Sequence, residues 1–208
     1  MTAQNETLFD PVHDTQLFYR ELLGAFAEPG KVKTAGRLTA GAESLEPDER
    51  MVAVIALTLL DSEVRFAAEL AGQERLTPYI RMHTFARPVP PAEAEYVFAD
   101  GRETPPAWAE ALNTGTLLEP EHGATLFLRV DDLSEGAAEE PAGAGEARIA
   151  LSGPGIPGER AMTVAGLAKE WLACRRQWNV EYPLGVDVVL FTASGKLAAL
   201  PRTTRAEG

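Results

Sequence analysis

Helical and strand-like apolar patterns alternate along the whole chain, and this order constrains the fold more than any single motif. Runs of strands followed by runs of helices would suit segregated layers or separate domains, whereas alternation predicts a layered α/β domain. The first pattern opens at Asp10-Pro11, where an acceptor side chain and a proline suit a helix start. Phe18, Leu22, Ala25 and Phe26 then recur at helical spacing until Glu28-Pro29-Gly30 ends the run. Residues 31–38 read as a short strand. Pro47, Asp48 and Glu49 open a second helix over the apolar run 51–60, and 64–70 reads as a strand. A third helix is expected over 74–82, with a start as late as Thr77 because Pro78 lies inside the pattern. Tyr96, Val97 and Phe98 form a strand signal, and Pro105-Pro106 opens a short helix through Leu112. The runs 124–130 and 148–151 are expected to pair as strands. A helix is expected over 163–177, capped by Thr163, with Leu167, Trp171 and Cys174 on one face and Arg175-Arg176 at its end. Residues 186–191 and 197–200 flank Ser194-Gly195 as a final hairpin. The sum is a single domain over 1–208, α/β, with a partly antiparallel, mixed sheet and helices on its faces.

Charge narrows the function classes. The chain carries 19 Lys plus Arg against 31 Asp plus Glu, a net charge of −12. Nucleic-acid binding needs clustered cations that release counterions from phosphates, and an anionic membrane surface needs them too, so both partners are excluded. No window approaches the roughly 18 uninterrupted apolar residues of a membrane span, and the first residues lack a basic and apolar leader pattern. With one cysteine, Cys174, there is no intrachain disulfide. A cytoplasmic setting is the expectation. Part of the acidic excess falls in 134–146 (SEGAAEEPAGAGE), which reads as a flexible solvated loop.

Candidate chemistry is sparse. Gly153-Pro154-Gly155-Ile156-Pro157-Gly158 matches G-x-G-x-x-G, a pattern whose amides can cradle a pyrophosphate. Pro157 supplies no N–H, however, and the expected helix starts too late, so a turn built on Gly153, Pro154 and Gly155 is favoured over a ligand loop. His13, His83 and His122 lack metal-ligand spacing, so no metal is expected. His83, beside Arg81 and Thr84 at a helix end, is the histidine best placed for an acid–base or anion-binding role. Its plainer role is to complement the helix dipole. Lys31 and Lys33 follow a helix-ending turn, Lys169 rides a helix and Lys196 sits in a hairpin turn; none has the buried, strand-end setting that Schiff-base chemistry needs, hence no pyridoxal phosphate is expected. Pro201-Arg202-Thr203-Thr204-Arg205 gathers cations and hydroxyls, so Arg202, Thr203 and Thr204 are candidate anion ligands. Asp187 in the penultimate strand would be costly if buried unpaired, and Arg202 is its candidate partner.

Read in order, several stretches resemble one family. They are Phe9 to Gln16 (FDPVHDTQ), followed by Phe18, Arg20, Leu22-Leu23 and Pro29-Gly30, then 57–61, His83-Thr84, 114–116 with 120–125, 151–156, Tyr182 to Asp187 (YPLGVD) and 201–204. Together these resemble the PhnH subunit of the bacterial carbon–phosphorus lyase system, over nearly the whole chain. The resemblance implies a three-layer α/β/α fold similar in topology to pyridoxal-phosphate-dependent transferases, without the cofactor. It implies a homodimer that joins subunits of the PhnG, PhnI and PhnJ type. That assembly makes ribose 1-phosphonate 5-triphosphate from ATP and a phosphonate before the carbon–phosphorus bond is cut. It supplies no catalytic residues, so a ribonucleotide or phosphonate held near Arg202, Thr203, Thr204 and His83 is an expectation from the residues alone. A free-standing enzyme on a phosphorylated small molecule, with Arg202 as clamp and His83 as acid or base, is the alternative. A third reading makes the arginine–threonine end an interface element with no ligand.

Overall fold

The computed structural model describes residues 13–35, 45–136 and 145–208. Helix α1 (His13–Ala27) buries Phe18, Leu22 and Ala25, and the two-residue strand β1 (Lys33–Thr34) follows. Helix α2 (Pro47–Leu59) has proline in its first turn, and Glu49 Oε2 accepts the Glu46 N–H at 3.0 Å to close that turn. Its stretch from Met51 to Ala56 is buried on every side, the pattern of a central helix in its layer. Then come β2 (Arg65–Glu69), α3 (Gln73–Thr84), β3 (Arg87–Pro88), β4 (Tyr96–Asp100) and a 3-10 turn at Ala107–Ala111. The remainder is β5 (Thr125–Arg129), β6 (Asp132–Gly136), β7 (Glu146–Ser152), β8 (Arg160–Ala165), α4 (Glu170–Trp178), β9 (Asp187–Phe191), β10 (Lys196–Leu200) and β11 (Arg205–Glu207).

Seven strands form the main sheet in the order β1-β10-β9-β5-β4-β2-β3. Strands β9, β5, β4, β2 and β3 run parallel, while β10 is antiparallel to both of its neighbours. One face buries Phe66, Phe98, Phe127, Val189 and Phe191 against α1, α2 and α3. Phe98 and Phe127 stack with centroids 5.2 Å apart. Each such ring contributes roughly 1.5–3 kcal/mol on burial. The opposite face, with Val97, Leu126, Leu128, Val188 and Leu190, packs against α4 and a second, four-stranded antiparallel sheet in the order β11-β7-β8-β6. The α/β class and the mixed sheet therefore stand. The third layer, however, is mostly that small sheet and not a row of helices.

Several expectations from sequence are corrected by the fold. Runs 124–130 and 148–151 do not pair: β5 sits between β4 and β9, and β7 lies in the small sheet beside β8 and β11. The reason is burial: β5 is apolar on both faces, which suits a central parallel strand, whereas β7 is buried only at alternate positions. Helix α4 begins at Glu170, not Thr163. Met162 and Val164 are buried while Thr163 is half-buried, a period of two that makes β8 a strand. Gly166 then turns the chain with φ +72, in a place where a Cβ would lie 2.3 Å from Asp131 Oδ2. The expected loop 134–146 is strand at both ends, in β6 and β7, and residues 137–144 lie outside the described residues. Helix α3 starts at Gln73 and carries Pro78 in its second turn, because Leu76, Ile80 and Thr84 bury one face. The expected strand 31–38 narrows to β1, with 36–38 outside the described residues, as is the helix opening at Asp10-Pro11. The short helix after Pro106 is a 3-10 turn, and the final hairpin of β9 and β10 is as expected. Among the described residues no helix is long and apolar enough to cross a membrane.

Candidate functional site

At the end of the main sheet where the central strands β5 and β9 begin, three loops are tied together by one guanidinium. Arg202 donates from Nε (3.1 Å) and Nη2 (2.7 Å) to Asp187 Oδ2, and its backbone N–H donates to Asp187 Oδ1 at 2.7 Å. Its Nη1 donates to the Pro120 carbonyl at 2.7 Å and lies 3.5 Å from that of Pro183. Both side chains of the ion pair are largely buried, 14% exposed for Arg202 and 19% for Asp187. Gly123 lets the loops close: a Cβ there would stand 2.4 Å from the Gly185 carbonyl oxygen and 2.7 Å from Arg202 Nη1. The Gly185 N–H donates to Thr114 at 2.8 Å, which joins the loop after Leu112 to the loop before β9. The fork of Arg202 is thus occupied by the fold itself, and an anion would reach it only by displacing Asp187 or a backbone carbonyl.

The loops held by this knot carry exposed apolar residues. Leu117, Leu118, Val180 and Tyr182 are all exposed, Leu118 at 92% and Tyr182 at 75%. The sharing of Arg202 by Pro120 and Pro183 places the two loops side by side. Exposed Glu119, Glu121 and Glu181 border them. Apolar side chains gathered this way on a polar rim mark contact surfaces more often than solvent faces.

Behind the knot, Arg175 of α4 is 4% exposed and donates from Nη2 to the carbonyls of Pro201 and Thr204, the latter at 2.7 Å. Burial pulls its pKa down to about 10 against the opposing field of Asp187. Thr204 is buried, its hydroxyl without a hydrogen-bond partner among the described residues, and Thr203 is exposed. Gly153 and Gly155 are packed against backbone: a Cβ on Gly153 would meet the Thr203 carbonyl at 3.0 Å, and one on Gly155 the Ala27 carbonyl at 2.4 Å. The Gly153-Pro154-Gly155 loop leads into strand β8 instead of a helix, so no helix N-terminus faces it. This arrangement gives a tight turn, not a phosphate cradle. Pattern reading missed Arg175, although its spacing from the buried Trp171 and Trp178 (i+4 and i−3) puts it on their face.

His83 lies elsewhere, in the last turn of α3, with its ring 4.4 Å from Tyr79. Strand β3, which follows it, is four strand spacings of about 4.8 Å from β9, some 19 Å in all. The structure therefore does not bring His83 to Arg202, Thr203 and Thr204. A separate charged cluster stands at the opposite, carboxyl edge: Asp100 accepts from Arg129 Nη2 at 2.6 Å and from Arg102 Nη2 at 2.8 Å. Burial would raise the Asp100 carboxyl, yet the hydrogen bonds from Arg102 and Arg129 outweigh it and hold the pKa at about 2. Among the described residues no three His, Cys, Asp or Glu side chains gather as a metal site.

With the geometry in place, comparison with known proteins decides the lineage. Residues 6–207 match the family model described as bacterial phosphonate metabolism protein (PhnH). The chain belongs to the PhnH family. A protein of Stutzerimonas stutzeri named "Putative C-P lyase subunit protein HtxG" is 33% identical over 189 residues, covering 91% of this chain and 84% of that one. The alpha-D-ribose 1-methylphosphonate 5-triphosphate synthase subunit PhnH of Rhizobium meliloti is 29% identical over 213 residues, covering 100% of this chain and 99% of that one. Four of the stretches that carried the resemblance to PhnH (114–116, 120–125, 182–187 and 201–204) converge on the Arg202 knot, and 151–156 touches it through Gly153. Stretches 57–61 and 83–84 lie apart, at the ends of α2 and α3.

Proposed function

We propose that this chain is a subunit of a carbon–phosphorus lyase core complex, supporting formation of alpha-D-ribose 1-methylphosphonate 5-triphosphate from ATP and a phosphonate in the catabolism of organic phosphonates. In this reading it acts in the cytoplasm, forms a homodimer, and joins subunits of the PhnG, PhnI and PhnJ type. It carries neither pyridoxal phosphate nor a metal of its own, although its fold is taken as kin to that of pyridoxal-phosphate-dependent transferases. The observation that carries the reading is the apolar face of Leu117, Leu118, Val180 and Tyr182 on the loops Arg202 holds together. An acid-rimmed set of exposed apolar residues fits a basic partner subunit better than a small substrate. The occupied fork of Arg202 and its distance from His83 give the free-standing enzyme no joined clamp and base. A ligand role for Arg202, Thr203, Thr204 and His83 accordingly belongs to two separate places.

Co-expression with the PhnG, PhnI and PhnJ counterparts tests this. The parent chain is expected to co-purify with them, while Leu118→Glu with Tyr182→Glu, which leaves the core untouched, is expected to fold but lose them. A parent chain that never associates at low or moderate salt overturns the reading. So does turnover of a phosphonate or nucleotide by the isolated chain, which would restore the enzyme alternative.

A further inference from the structure

A cleft of about 460 Å³ opens between the end of α3 and β3, lined by Ser62, Arg81, Phe85, Ala86, Arg87 and Pro88. Three features there are unexplained by the fold. Arg81 and Arg87 both line the cleft, and neither guanidinium has an ion pair or hydrogen bond among the described residues. This occurs in a chain where acids outnumber bases 31 to 19. Arg81 could merely complement the dipole of α3, but Arg87 lies on a strand, outside that helix. Phe85 is the only non-glycine residue with positive φ (+62) among the described residues, at a helix end where glycine is the usual occupant. The residue is nonetheless 76% exposed, so packing does not offset the strain.

Strand addition is a poor use of this edge. Arg87 and Val89 turn their N–H groups inward to Val64 and Phe66, and the residue between them is Pro88, which has no N–H to offer a new strand. What remains is a guanidinium pair, the Ser62 hydroxyl and a free aromatic face, in a volume of small-ligand size. The geometry points to a binding site for a phosphate-type dianion carried on a planar ring, the chemical class of a mononucleotide. Arg81 and Arg87 hold the anion and Phe85 stacks on the ring. Asp61 and Glu63 flank Ser62, with the Asp61 carboxylate turned to the Glu63 N–H at 2.8 Å, so binding is strongest at low salt and modest in affinity. The site stands apart from the docking face at Leu118 and Tyr182, and its failure leaves that reading untouched.

Titration of the isotopically labelled full chain with AMP, inorganic phosphate and adenosine, followed by amide NMR, tests the proposal. AMP is expected to shift the amides of Ser62, Arg81, Phe85 and Arg87 and to saturate before either of its parts. Arg81→Gln with Arg87→Gln is expected to weaken AMP about tenfold or more. Phe85→Gly is expected to bring AMP down to the level of phosphate while holding or raising the melting temperature, opposite effects that a structural role would not give. No shift at these amides up to about 10 mM AMP, or affinity within twofold of the parent in the double arginine variant, overturns the site. An acidic peptide that shifts the same amides more strongly than AMP overturns the ligand class. If the arginine variant does not fold, the map on the parent chain decides alone.

Discussion

Arg202→Ala is the sharpest test of how the loop cluster is built. The substitution deletes two charged hydrogen bonds to Asp187 Oδ2 and the 2.7 Å bond to the Pro120 carbonyl, and leaves Asp187 only the backbone N–H of position 202. With 14% and 19% exposure, water compensates little of that loss. Breaking a buried pair from one side costs about 3–5 kcal/mol, and the residual access to solvent argues for about 3. For a chain of this length, each kcal/mol moves the midpoint by about 2–4 °C, so a fall of about 6–12 °C is expected. Arg202→Lys is expected to recover under half of it, since one ammonium cannot span the carboxylate and the carbonyl together. Reversible thermal and urea unfolding of Arg202→Ala, Asp187→Asn and the double variant measure the coupling, expected at about 1.5 kcal/mol or more. A midpoint for Arg202→Ala within about 2 °C of the parent, or single effects that simply add, would refute the account of Arg202 as the tie between the loops.

Gly123→Ala, whose Cβ would press on the Gly185 carbonyl at 2.4 Å, is expected to lose about 2–3 kcal/mol, read as a lowered melting temperature. Arg175→Met keeps the bulk of α4 but removes the guanidinium from the Pro201 and Thr204 carbonyls, leaving Pro201 only the Thr204 N–H at 2.8 Å, and a urea midpoint should show a loss of about 2 kcal/mol. The Asp100 carboxyl, near 3.8 when unfolded, sits at about 2 in the fold. Because the folded value is the lower one, its contribution is complete above about pH 4 and disappears as pH falls toward 2. Asp100→Asn, which leaves Arg129 without that carboxylate, should melt lower at pH 7 and lose less than the parent between pH 4 and 2, as thermal scans across that range would show.

Much of the main sheet was legible because its strands are short apolar runs between breakers, as in 96–98, 124–130 and 186–191. Helices α1 and α2 were legible from Phe18, Leu22 and Ala25 and from Pro47 at the opening turn. The second sheet was not. Its strands are only half apolar, and Val164, Leu167, Trp171 and Cys174 fit a helical stripe about as well as a strand that turns at Gly166 into a helix. Pairing was harder than element type, since 124–130 and 148–151 carry nothing local that says which neighbour each will choose. Of the site residues, Asp187 and Arg202 were readable as partners because a carboxylate inside an apolar strand must find a cation. The remoteness of His83 depends on strand order, which no local pattern encodes. Phe85 escaped notice because an aromatic beside a helix end looks ordinary until its backbone angle is known.

The passage from β10 to β11 carries one further consequence. Within six residues the chain leaves the main sheet, runs beneath the Arg175 guanidinium and enters the small sheet beside β7. The two layers therefore share a covalent hinge whose carbonyls are held by one buried cation. A small sheet in this position cannot peel away as an independent unit without also freeing the end of β10, so both should gain and lose protection from solvent hydrogen exchange together. A partner gripping either layer would tighten the other.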